Sequence, residues 1–265
     1  MRLRWVKNRI EDGMQTSQAI QALLHQEESG QFGMGEERSV PISLPSHPSG
    51  GNQSVLVSYT QDLTNAMMNK NLPKADQILG EALAASSPDE LILQVIGPTM
   101  AAIGDAWENE QISIATEHLA TNFLRQRILM WMVSGPPPFA RPPIILACAP
   151  NEWHEGSLLM MGALLRRRRW PVIYLGQAVP LTDLASFVRD TNPSLVILVA
   201  MMEETAAELA QWPLFLPEAA RTGKPIITYA GRVLTKHPEW QMRIPGTFLG
   251  DNIEQGLANI DRLLS

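Results

Sequence analysis

"PIILACAPNEWHEGSLLMMGALLRRRRWPVIYLG", residues 143–176, decides the fold of this chain. Its opening apolar run is short and ends at a proline, as a buried strand does. From about Glu155 the apolar residues recur at helical spacing, and "PVIYLG" is again short, apolar and β-branched. A strand, a helix and a second strand in succession form a crossover unit, which joins parallel neighbours. The same rhythm continues downstream through a helix around "TDLASFVRDT", the run "SLVILVA", a helix around 203–221, "PIITYAG", "GTFLG" and a final helix through Leu264. The expected fold of this half is a parallel sheet covered by helices on both faces. In such sheets ligands settle beyond the carboxyl ends of the strands. His154 falls in the loop after the first strand.

Upstream the pattern changes. From residue 54 to 134 it is helical throughout, with breaks at Pro73, at "SSPDE" (86–90) and at "NEQIS" (109–113), which divides it into four helices. "GPPPFARPP", 135–143, is a stiff connector, because its prolines restrict the backbone and remove hydrogen-bond donors. Residues 29–53 are rich in Gly, Ser and Pro without sustained periodicity and read as a flexible tether. Residues 1–28 carry two short helical patterns interrupted by Gly13.

Composition narrows the chemistry. A chain of 265 residues, 45% of them hydrophobic, suits two folded units. The longest apolar run, "LVILVAMM" at 195–202, is too short to cross a bilayer, and the expected location is cytoplasmic. With 27 acidic against 21 basic residues, the net charge of -6 opposes a broad nucleic-acid-binding face. Cys148 is the only cysteine. It lies inside an apolar run, which excludes a disulfide framework or a thiolate metal cluster and predicts a buried strand residue.

Two groupings carry candidate chemistry. His154 follows Glu152 by two residues, and a neutral imidazole that binds a metal commonly donates its second ring nitrogen to a carboxylate. The E-x-H spacing alone is weak evidence, since it occurs by chance, and by itself favours a solvated loop histidine. One histidine also makes a poor metal site from protein groups only, an objection that a macrocycle supplying the other ligands removes. The second grouping is "GDAWENEQISIATEHLATNFL", 104–124. There Trp107 ends one helix, Ser113 is placed to cap the next, and Glu117 and His118 enter it. An aromatic ring, a carboxylate and an imidazole can share one surface there. Alternatively, Trp107 is a core aromatic and the other two are partly solvated.

Trp107, nine residues, then Glu117-His118 resembles the W-x9-E-H pattern of the helical cap in CarH-like (LitR-type) photoreceptors, and "NEWHEGSLL" resembles their E-x-H-x-x-G cobalamin loop. "LRWVKNRIEDGMQTSQAIQALL" looks like the closing helices of a MerR-type DNA-binding domain. The resemblance implies an α plus α/β architecture. Its parts are a remnant of a MerR-like domain (1–28), a linker (29–53), a four-helix-bundle cap (54–134), the connector (135–143) and a Rossmann-like, flavodoxin-like cobalamin-binding domain (144–265). It also implies adenosylcobalamin as cofactor. His154 would be the lower axial cobalt ligand in place of the cofactor's dimethylbenzimidazole, and Glu152 its orienter. Trp107 would shelter the adenosyl group, with Glu117 and His118 beside it. Glu155, Ser157, Val199, Ala230 and Gly231 would complete the pocket. The family's action is regulatory rather than enzymatic: light breaks the cobalt-carbon bond, the cap shifts and a dark homo-oligomer dissociates.

The chain departs from that pattern at several points. Ser157 stands at the family's glycine position, with Gly156 one place early. Val199-Ala200-Met201 replaces S-x-L, and Ala230-Gly231 replaces Gly-Gly. Glu108 stands where a cobalt-capping histidine occurs after photolysis. Two other readings follow: a corrinoid methyl carrier of a methyltransferase system, and a remodelled receptor for another tetrapyrrole such as a bilin. Without a helix-turn-helix, contact with DNA requires a complete MerR-type domain or a partner. "RRRR", 166–169, is expected to be a solvated helix end complementing the dipole, and Met67, Met68, Met100, Met130 and Met132 are expected to fill the core.

Overall fold

A computed structural model of the chain describes residues 51–265. The MerR-like helices expected at 1–28, and the tether up to residue 50, lie outside the described residues. Helix α1 spans Gly51–Met68 and α2 Leu72–Ala85. Next come α3 (Pro88–Leu91), a π-helical turn (Ile92–Ile96) and α4 (Gly97–Glu108), which follow one another as a single helical run. Helix α5 spans Ile114–Val133. The starts of these helices follow local chemistry. Asn71 accepts from the Lys74 amide to cap α2, and Ser87 forms a capping box with Glu90. Ser113 caps α5 by accepting from the Thr116 amide, as its position in the sequence suggests.

The π turn has a cause in the sequence. Pro98 has no N–H to return to Gln94 O, so the regular ladder fails there. The Thr60 hydroxyl on α1 donates to Gln94 O instead, at 2.9 Å.

After the connector the strands and helices alternate. They run β1 (Ile144–Cys148), α6 (Gly156–Arg167), β2 (Val172–Gly176), α7 (Leu181–Thr191), β3 (Leu195–Val199), α8 (Glu203–Leu209), α9 (Trp212–Phe215) and α10 (Pro217–Thr222). Then follow β4 (Ile226–Ala230), α11 (Arg232–Lys236), α12 (Glu239–Arg243), β5 (Thr247–Phe248) and α13 (Ile253–Leu264). All four strand pairings are parallel, in the order β2-β1-β3-β4-β5. This is the flavodoxin-like order, whose switch point lies between β1 and β3. The single helix expected around 203–221 is three short ones, because Pro213 and Pro217 each restart the backbone.

Strand residues alternate between two buried faces. Ile144, Leu146, Cys148, Ile197 and Val199 join a core shared with α6, α13 and the cap, whereas Ile145, Ala147, Val196 and Leu198 pack with α7 through α10. Helices α4 and α5 both rest on α6, so cap and sheet domain share one apolar interior.

The arginine run ends α6 as expected, with Arg168 and Arg169 exposed, but its guanidiniums are also engaged. Arg166 donates to Met132 O and Trp170 O, and Arg167 pairs with Asp89. Arg168 pairs with Asp261, and Arg169 donates to Pro137 O. Each guanidinium finds a different acceptor, so the run ties α6 to the cap, the connector and α13. Of the methionines, Met67 and Met132 are buried as expected, but Met130 is exposed, on the outer side of α5. Among the described residues, no helix is long and apolar enough to cross a membrane.

Candidate functional site

The loop between β1 and α6 carries Glu152 and His154, beside the switch point of the sheet. Glu152 is fully buried, and a buried carboxylate survives only when donors surround it. Oε1 accepts from the His154 amide at 2.9 Å and faces His154 Nδ1 at 2.7 Å. Oε2 accepts from the Met201 amide at 2.7 Å and the Thr205 hydroxyl at 2.8 Å. Burial by itself would raise the carboxyl pKa. The hydrogen bonds from the His154 side chain and backbone, then from Met201 and Thr205, outweigh it and bring the value down to about 2.

Because the ionised carboxylate only accepts, Nδ1 of a neutral His154 carries the hydrogen and Nε2 keeps its lone pair. The His154 side chain is 60% exposed. Its pKa is raised, first by the Glu152 hydrogen bond and further by the charges of Glu152 and Glu117, against the opposing effect of burial. The influence of Glu117 brings the start of α5 into the electrostatic surroundings of this loop. Two left-handed residues flank the carboxylate: Asn151 (φ 58°) precedes it, and Ala178 (φ 49°) donates its amide to Glu152 O at 2.9 Å. Non-glycine residues held in this region store strain that the surrounding contacts must offset.

The other expected residues fall into three places. Ser157, Val199, Ala230 and Gly231 line one cavity of about 480 Å³, together with Met201 and the cap residues Ile92, Gly97 and Pro98. Val199 and Ala230 are register partners on β3 and β4. Gly231 has φ 139°, and a Cβ there would stand 1.7 Å from Ala200 O, so only glycine lets β3 and β4 meet at the cavity wall. On the cap, Glu117 Oε2 contacts His118 Nδ1 at 2.6 Å while Thr121 donates to Oε1 at 2.6 Å. The neighbouring pair thus touches despite its helical offset. Trp107 is exposed at the end of α4, and beside it Glu108 faces Arg232 at 4.0 Å. Glu155, by contrast, turns inward. Arg125 holds Oε1 at 2.5 Å and Tyr174 donates to Oε2, so both carboxylate oxygens are engaged within the protein.

Thr205, Arg125 and Tyr174 were not singled out by sequence. Each lies far along the chain from its partner in the loop, and none belongs to a local motif. Among the described residues, no group of three or more His, Cys, Asp or Glu side chains could hold an ion by itself. A metal at His154 therefore fits only as part of a group that brings most of its own ligands. The free Nε2, and a cavity lined by Ser157 in the first turn of the helix that follows the loop, suit such a group.

Residues 59–130 match the family model described as the B12 binding domain. Over 169 residues the chain is 29% identical to the HTH-type transcriptional repressor CarH of Myxococcus xanthus, covering 64% of this chain and 56% of the repressor. Over 121 residues it is 31% identical to the HTH-type transcriptional repressor CarA of the same organism, covering 46% and 41%. The chain thus spans about half the length of the curated relatives it matches. Its fold resembles that of the monomethylamine corrinoid protein of Methanosarcina barkeri, with TM-score 0.60 and 16% identity over 78% of this chain and 99% of that one. Residues 59–130 thus resemble a B12 binding domain and part of the chain resembles the two repressors, while the structural likeness shows the fold.

Proposed function

We propose that the chain binds cobalamin between its helical cap and its parallel-sheet domain, with His154 Nε2 as the protein group that would hold cobalt, and acts as a light-responsive regulator of transcription. The single observation that carries this reading is the buried, four-fold hydrogen-bonded Glu152 holding His154 by Nδ1. That arrangement fixes the ring and leaves one nitrogen for a metal. Adenosylcobalamin, when bound, supplies a cobalt-carbon bond that visible light breaks.

The chain's own residues take the remaining tasks. The cavity bordered by Ser157, Val199, Ala230 and Gly231 receives the nucleotide tail, with Val199 and Met201 making its wall more apolar than a serine would. Exposed Trp107 would shelter the adenosyl group, and Glu117 and His118 would offer it polar contacts. Glu155 supports the loop from below instead of touching the ligand. Glu108, which faces Arg232, offers a carboxylate and no imidazole beside Trp107, so this position would supply no second histidine to a bound metal. The dark form self-associates and light dissociates it. DNA is reached through a complete MerR-type domain or a partner.

The test is reconstitution with adenosylcobalamin. Green light should change both the absorption spectrum and the mass measured by light scattering. In protein carrying 15N-labelled histidine, the nitrogen hyperfine splitting in the paramagnetic resonance spectrum of the cobalt(II) form should change from a triplet to a doublet pattern, and His154→Ala should remove that isotope effect. Unchanged mass in light and dark would sink the switch, even with cofactor bound.

The fold likeness to a corrinoid protein favours a second reading, a carrier of methyl groups for a methyltransferase system. Methylation of the cobalt(I) form by a partner enzyme would favour it. Mass spectrometry of ligand released from the native protein separates both from a receptor for a bilin.

A further inference from the structure

We infer that Arg125 is a positioning residue that locks the register of the cap against the His154 loop. The inference deepens the cobalamin reading, since it names the contact through which the ligand loop and the cap sense each other. Helix α6 presents two glycines to methionines of the cap. A Cβ on Gly156 would come within 2.7 Å of the Met100 methyl, and one on Gly162 within 2.8 Å of the Met132 methyl. Methionine adapts readily to altered surroundings, so this seam gives adhesion without fixing one register.

Polar contacts hold the two ends of α6 differently. At the C-terminal end, Arg166 and Arg167 reach Met132 O and Asp89 of the cap. At the N-terminal end, Arg125 of α5 meets Glu155, the residue after His154. The Glu155 side chain is only 7% exposed, and Tyr174 of β2 takes its other oxygen. A charged pair with one partner buried, as Glu155 is here, adds little net stability compared with apolar replacements, but it penalises any arrangement that separates the two. Arg125 also lies two turns beyond Glu117 and His118 on α5, so its anchor point fixes where those side chains stand relative to the loop. With the lock removed, the cap pivots about the arginine-run end and stays folded.

Spin labels at Asp62→Cys on α1 and Asp190→Cys on α7, both exposed, read the separation of cap and sheet domain, while the buried Cys148 stays unlabelled. In ligand-free protein the parent distribution should be narrow. Arg125→Met combined with Glu155→Gln, which leaves no buried charge unpaired, should broaden it to at least about twice that width with folding retained. Tyr174→Phe keeps the Arg125 contact and should leave the distribution narrow. A narrow distribution in the double variant, or equal broadening in Tyr174→Phe, overturns the proposal. Hydroxocobalamin should renarrow the double variant by bridging the lobes. If hydroxocobalamin fails to bind the parent, the cofactor reading falls, while the ligand-free distances still decide the lock.

Discussion

Glu152→Gln should cost the ligand-free protein far more stability than His154→Ala, although His154 is the residue assigned to the metal. The glutamate's two oxygens face two pairs of donors, His154 N–H with Nδ1–H and Met201 N–H with the Thr205 hydroxyl. A glutamine must turn its NH2 toward one pair. Toward the sheet side the Thr205 hydroxyl has an alternative acceptor, Met202 O at 3.0 Å, so the loss there centres on the Met201 amide. One orphaned buried donor, plus weaker bonds from a neutral acceptor, amounts to about 2–4 kcal/mol. For a body of this size that lowers the melting temperature by about 5–15 °C. His154→Ala removes only the Nδ1 contact from a largely exposed ring, worth about 1 kcal/mol or less once solvent screening is counted. Thermal unfolding without ligand, followed by circular dichroism, measures both. Should Glu152→Gln melt within about 2 °C of the parent, or His154→Ala fall as far as Glu152→Gln, the account of Glu152 as a buried organiser is wrong.

Three further outcomes follow from the same geometry. Gly231→Ala forces a Cβ onto Ala200 O; it should destabilise by about 3 kcal/mol or more, seen as insoluble expression or a large fall in the urea midpoint. Ser157→Phe fills part of the cavity from the first turn of α6; it should weaken hydroxocobalamin binding about a hundredfold or more in an absorbance titration, with the melting temperature close to that of the parent. Burial pushes the Cys148 thiol up to about 12, with Glu152 and Glu155 adding to the shift. At pH 8 its thiolate fraction is about one in ten thousand, so a disulfide reagent should label it only as fast as the protein unfolds. Rapid labelling under native conditions would contradict its place in β1.

The sheet half was legible because parallel strands buried on both faces read as plain apolar runs, and β1, β2, β3 and β4 all lie within such runs. The cap helices were legible through Pro73, the Ser87 and Ser113 caps and the intervening breaks. At the site, the Glu152-His154 pair could be foreseen because a carboxylate two residues from a histidine is a local signal. Thr205 could not, since it reaches Glu152 from α8, 53 positions along the chain. The inward turn of Glu155 was equally hidden, because Arg125 and Tyr174 come from elements that only the tertiary fold brings together. Four consecutive arginines have no periodicity that would reveal four separate acceptors. The π turn needed two facts together: a proline at position 98 and a hydroxyl on another helix placed to satisfy Gln94 O.

The position of α6 explains why one loop can serve both binding and communication. Its first residue follows the Glu152-Trp153-His154-Glu155 loop, whose two carboxylates are held differently: Glu152 is tied to the β3 side through Met201 and Thr205, and Glu155 to the cap through Arg125 and to β2 through Tyr174. His154 lies between them. A ligand that pulls on its imidazole therefore loads a backbone segment held by both lobes, with the sheet side more firmly held because it supplies two neutral donors to a fully buried group. The cap side depends on one half-buried arginine and a methionine seam that accommodates sliding. Movement at the loop should then appear in the cap before it appears in the sheet. Hydrogen exchange with and without hydroxocobalamin should accordingly change more in α5 than in β3, and a larger change in β3 would reverse the assigned order of stiffness.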